Sequence, residues 1–196
     1  MKRGIRLLLL SMIFSGLVAM AEDYSVKQVE KVGGKIAKKI QKTLKHKLKK
    51  AKKRGGLEAM AKYCAEESLK DIDAIRRKYG KELSVKRVSL RPRNPKNAPK
   101  KDEEKILEAL DYLVKANAFL PKTIVQAHED GSYKLYAPIT LNSRTCKKCH
   151  GDRAAVDPKI VKYFASKYPD GKGYGYHTGD LRGAIVVAFP PPKEDE

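Results

Sequence analysis

Cys146-Lys147-Lys148-Cys149-His150 holds the residue types and spacing for cofactor chemistry. Two thiols separated in this way can form thioethers with the two vinyl groups on one edge of a porphyrin. The histidine directly after them then reaches the iron. C-x-x-C-H is therefore the attachment pattern for haem c, with His150 as one metal ligand. Two other chemistries use the same residues. A thioredoxin-like redox pair needs an early strand-to-helix position, whereas this motif comes late and just after a hairpin pattern. A zinc site could combine Cys64, Cys146, Cys149 and a histidine, but structural zinc usually shows a second clustered ligand pair, and the sequence has none.

The second iron ligand is open among Cys64, Met60, His46, His128 and His177. Met60 and Cys64 lie one helical turn apart on an apolar face. His46 sits in a lysine-rich surface segment, His128 at a strand end beside a turn, and His177 in a Gly/Tyr-rich loop. With only 3 cysteines in the chain, Cys64 is the one left without a role once the motif pair is used. A buried helical cysteine is also a common small core residue.

The elements around these residues follow from pattern. Lys2, Arg3 and Arg6 precede an apolar run from Leu7 to Val18, and Ala19-Met20-Ala21 fits a signal-peptidase site. The run is short for a membrane span. It reads as a signal peptide over residues 1–21, with an uncleaved anchor as the alternative. Export implies a periplasmic location. Val29, Val32, Ile36, Ile40, Leu44 and Leu48 recur at helical spacing from Tyr24 to Arg54. Gly55-Gly56 breaks that helix, and a second runs from Leu57 to about Tyr79. Leu83 to Leu90 alternates as a strand. Arg91 to Pro99 is too proline-rich for either element. Lys101 to Asn117 is a third helix. Thr123–His128 and Tyr133–Ile139 flank Asp130-Gly131 as a hairpin. Asp157-Pro158 caps a helix to about Lys167, and Gly183 to Phe189 is a last strand. Helices followed by strands with helical inserts give an α+β chain with an antiparallel sheet.

Several separated segments resemble one family of exported c-type haem proteins with a PAS-like fold. They are A-M-A-K-Y-C ending at Cys64, R-V-S-L-R-P-R-N-P-K-N-A-P from Arg87 to Pro99, and Y-A-P-I at Tyr136 to Ile139. C-K-K-C-H-G from Cys146 to Gly151 follows, then Y-P-D-G-K-G-Y-G-Y and G-D-L-R-G-A from Tyr168 to Ala184. The resemblance covers about Leu57 to Val187. It implies one haem c held by Cys146 and Cys149, with His150 and Cys64 as the axial pair. Related domains form the sensory part of membrane kinases and chemoreceptors. The implied division is a basic N-terminal helix over 22–56, a PAS-like haem c domain over 57–189 and a charged tail over 190–196.

A Cys/His pair would favour ferric iron and a low potential, because thiolate donates strongly. Reduction would weaken that bond, let the thiol protonate and leave, and open a site for a small ligand. The expected function is thus a redox-responsive haem sensor module, with a soluble electron-transfer cytochrome as the alternative. An enzyme is not expected, since no clear distal acid/base pair is present. Arg91, Arg93 and Arg182 are candidates for the haem propionates, because guanidinium pairs well with carboxylate.

The chain has 43 Lys and Arg against 23 Asp and Glu, a formal net charge of +20. Much of the excess lies on the first helix, from Lys35 to Arg54. Such a face is solvated, or it docks an acidic redox or signalling protein or an anionic membrane surface. Export argues against nucleic acid. The long helix also offers a seam for a homodimer.

Overall fold

The computed structural model describes residues 24–193. The expected signal peptide over residues 1–21 and the last residues of the expected charged tail lie outside the described residues. Helix α1 (Val26–Lys62) starts on a capping box in which Ser25 and Gln28 satisfy each other's backbone donors. It kinks at Gly55 and Gly56, whose dihedrals leave the helical region, where the glycine pair predicted a break. A π-helical turn (Tyr63–Glu67) follows, and then α2 (Ser68–Arg76). The second predicted helix is therefore interrupted by a π turn, a feature that hydrophobic spacing does not announce.

Strands β1 (Ser84–Val88), β2 (Ile124–Ala127), β3 (Tyr133–Thr140) and β4 (Leu181–Phe189) form one four-stranded sheet in the order β1-β4-β3-β2. Every pairing is antiparallel. Between the strands lie α3 (Lys101–Lys115), α4 (Arg144–His150) and α5 (Pro158–Lys167). Alternation in the central strand β4 explains the layers. Ile185, Val187 and Phe189 meet the apolar stripe of α1, including Val29, Ile36 and Ile40. Ala184 and Val186 face Leu107 and Leu110 of α3. The result is the α+β arrangement expected, with helices packed on an antiparallel sheet.

A third, smaller cluster sits beyond the sheet edge. Ala61 of α1 packs there with Cys149 of α4, Val156, and Ile160 and Phe164 of α5. This cluster brings the motif helix against the end of α1. Close backbone approach at β1 and β4 shapes the adjoining cleft. Gly183 has φ +147°, and a Cβ there would sit 2.0 Å from the Val88 carbonyl oxygen, so only glycine fits. No helix among the described residues is long and apolar enough to cross a membrane.

Candidate functional site

The motif residues form α4, whose helical spacing sets Cys146 and Cys149 one turn apart. Ser143 caps the helix by accepting from the Cys146 amide at 3.3 Å. The two thiols differ in environment. Cys146 is exposed, whereas Cys149 is buried in the third cluster. Burial pushes the Cys149 thiol up to about 11. In the chain with both thiols free, iodoacetamide should therefore label Cys146 well before Cys149 at neutral pH, as mass spectrometry of timed aliquots would show. Equal labelling would contradict this placement.

His150 closes α4, and its Nδ1 lies 2.8 Å from the Gly173 carbonyl oxygen. A carbonyl only accepts, so Nδ1 carries the hydrogen and Nε2 keeps its lone pair. Burial, with Arg182 and Arg93 nearby, holds the imidazole well below its ordinary pKa and keeps it neutral. The Gly/Tyr loop straps the motif in place. Gly175 N donates to Gly151 O at 2.8 Å, and Tyr176 N donates to His150 O at 2.9 Å. Lys172 N then ties this loop to Pro92 O at 2.9 Å.

Arg93 locks these pieces together. Its Nη2 donates to Cys149 O at 2.5 Å and to Gly173 O at 2.6 Å. The guanidinium lies 4.0 Å over the Phe164 ring and 4.4 Å over that of Tyr174. Burial lowers its pKa to about 10, so it stays charged at neutral pH.

Cys64 sits on the π turn, a geometry that often marks functional positions. The wider turn leaves the Cys64 carbonyl to the Ser68 hydroxyl, which donates to it at 2.8 Å. Arg87 Nη2 in turn donates to Ser68 Oγ at 2.9 Å. Tyr168 bridges the same turn to the proline-rich loop, donating to Ala65 O and accepting from Asn94 Nδ2, both at 3.0 Å. Burial raises the Cys64 thiol pKa, while Arg87, Arg93 and Arg182 act to lower it.

Cys64 and His150 line one cleft, together with Arg87, Arg93, Phe164 and Arg182. Its cavity volume is about 140 Å³, and it opens to solvent. No Asp or Glu lines it. The buried Nε atoms of Arg87 and Arg93 have no hydrogen-bond partner. Three guanidinium groups without a carboxylate make the cleft suited to an anionic ligand edge.

The other candidates fall elsewhere. Met60 is buried in the main core, against which the partly buried Cys64 also packs from the π turn. His46 is exposed on α1. His128 sits in the β2–β3 turn, where its amide donates to Ser132 O. His177 is exposed beside Asp180, whose carboxylate accepts from its amide at 2.7 Å. Arg91 lies over Tyr176 and donates to the Tyr174 and Gly175 carbonyls, away from the cleft that holds Cys64. Arg182 does line the cleft and donates to Ser89 Oγ at 2.6 Å. Arg87 is the lining residue that sequence reading missed. Its signal is register: it shares the β1 face of Val85, which packs on the main core, so a cation there faces inward. The zinc alternative lacks its cluster, since no group of three or more His, Cys, Asp and Glu among the described residues is placed to hold a metal ion.

Fold and site together define a class: an α+β chain in which a C-x-x-C-H helix and a cysteine-bearing π turn close one arginine-lined cleft. The sequence pattern of the Tll0287-like family matches residues 18–190, and the chain belongs to that family. The crystal structure of the cyanobacterial haem protein Tll0287 is similar in fold. The TM-score is 0.57 at 20% identity, over 88% of this chain and 100% of that one. No curated protein matches the chain.

Proposed function

We propose that this chain is an exported, periplasmic monohaem c-type protein that acts as a redox-responsive haem sensor module rather than as an enzyme. The observation that carries this reading is the His150 ring. Gly173 fixes its tautomer and leaves Nε2 its lone pair, and the residue lines the cleft that also contains Cys64. The similarity to a haem protein supports the choice of cofactor.

The residues present fit the group. Cys146 and Cys149 Sγ would carry the thioethers, and His150 Nε2 and Cys64 Sγ would supply the axial ligands. Arg87, with its unpartnered Nε, and Arg182 would take the propionates. Arg93 is a positioning residue instead, because its Nη2 is already spent on Cys149 and Gly173. A haem bound there supplies a one-electron couple and a potential site for a small ligand. The rest of the cleft then divides the work. The Gly/Tyr loop holds His150 rigidly, while Cys64 rests on a π turn that a change of local register can move.

Sensing requires that this ligand be released on reduction. The dithionite-reduced protein is expected to bind carbon monoxide, with the absorption change saturating at one equivalent per haem. A reduced protein that retains Cys64 and refuses carbon monoxide is an electron carrier, the second reading.

A further inference from the structure

The kinked end of α1 runs beside α4, and Lys52 Nζ lies 3.5 Å from Thr145 Oγ1 of the motif helix. This contact makes two basic surfaces continuous. Lys52, Lys53 and Arg54 are exposed on one side, and Arg144, Lys147 and Lys148 on the other. Some cations elsewhere have carboxylate partners, such as Lys47 with Asp71, Lys86 with Glu103 and Lys167 with Glu66. Among the described residues, none of the six cations of this patch has one, and neither do Lys35 and Lys38 farther up α1. Glu58, the acid nearest in sequence on α1, faces Lys159 of α5. Exposed Cys146 lies inside this patch.

We infer that the α1–α4 face is the docking surface for an acidic redox protein, placed over the edge of the haem that Cys146 would hold. The inference rests on the haem c reading above. Unpaired like charges on a folded surface repel one another, and an acidic partner relieves that repulsion while being steered to the right edge. One electron would pass from the partner's reduced centre, which is thereby oxidised, to ferric iron, and the release of Cys64 proposed above would follow that transfer. A membrane surface fits less well. Interfacial binding needs apolar side chains to bury, and the exposed large hydrophobic residues among those described, Val26, Tyr112 and Phe119, lie outside the patch.

The test uses the haem-loaded chain and flavodoxin, a small acidic redox protein, by isothermal titration at about 0.1 M salt, where the screening length is about 10 Å. Lys52→Glu/Lys53→Glu and, separately, Lys147→Glu/Lys148→Glu should each weaken binding about tenfold or more. Lys35→Glu/Lys38→Glu, about 20 Å or more up the helix, should change it less than about twofold. The first pair lies outside the attachment motif, so it remains informative if the second loads haem poorly. Equal losses from the distal and proximal pairs would show diffuse net charge and overturn the proposal. So would a wild-type protein that ignores flavodoxin, or one whose only partner is phosphatidylglycerol vesicles. The haem absorption band of each preparation separates the two failures. Its absence refutes the cofactor reading, and its presence with unaltered binding refutes only the docking face.

Discussion

Cys146→Ala/Cys149→Ala, expressed in a host that attaches haem c, is expected to carry no covalent haem. Wild-type protein should show the mass of the processed chain plus one haem, and acid–organic extraction should leave its colour with the polypeptide. The double variant should show the bare polypeptide mass, and extraction should remove whatever colour it retains. The reason is the helix. Both thiols lie one turn apart on α4, with Cys146 open to solvent and Cys149 against the third core cluster. Together they can grip one porphyrin edge, whereas alanine offers no sulfur to bond. His150 and Cys64 remain, so loosely held haem in the variant is compatible with the account. Covalent haem in the double variant would refute it. A wild-type chain without haem under the same conditions would refute the C-x-x-C-H assignment itself.

Arg93→Leu should destabilise the fold by about 3 kcal/mol, because two buried carbonyls lose a charge-assisted donor and the slot between two rings loses its filling. For a chain of this size that lowers the melting temperature by about 6–12 °C. The carbonyls concerned belong to Cys149 and Gly173, and the rings to Phe164 and Tyr174. Arg93→Lys should recover less than half of the loss, since an ammonium cannot lie flat between the rings and still reach both carbonyls. Calorimetry of both variants checks this. A melting temperature within about 2 °C of wild type for Arg93→Leu would mean that those carbonyls find other donors. Because Gly173 also accepts from His150, the Leu variant should loosen the histidine as well.

Much of this architecture is legible in the sequence. Asp157-Pro158 carries its own helix start, and the Asp157 side chain does accept from the Lys159 amide at 2.9 Å. Gly55-Gly56 breaks α1 for the conformational reason that makes glycine a breaker. Asp130-Gly131 turns the β2–β3 hairpin, with Gly131 at φ +77°. These are local effects, written within a few residues.

The π turn was not legible, because an extra residue per turn leaves no mark in apolar spacing. The duties of Arg87, Arg91 and Arg93 were equally hidden. Arg93 is 56 and 80 residues from the carbonyls that it serves, so its choice of partner is decided by tertiary packing. Types and spacing single out α4 as the candidate for chemistry, while the assembly of the cleft around it is set by the fold.

The central claim is that Cys64 and His150 hold one iron between them. Electron paramagnetic resonance and absorption spectra of ferric wild type and Cys64→Ser test it most directly. The account predicts a low-spin thiolate signature in wild type that vanishes in the variant, with covalent haem retained through Cys146 and Cys149. Spectra indifferent to the substitution would return Cys64 to the packing around the cleft and contradict the account.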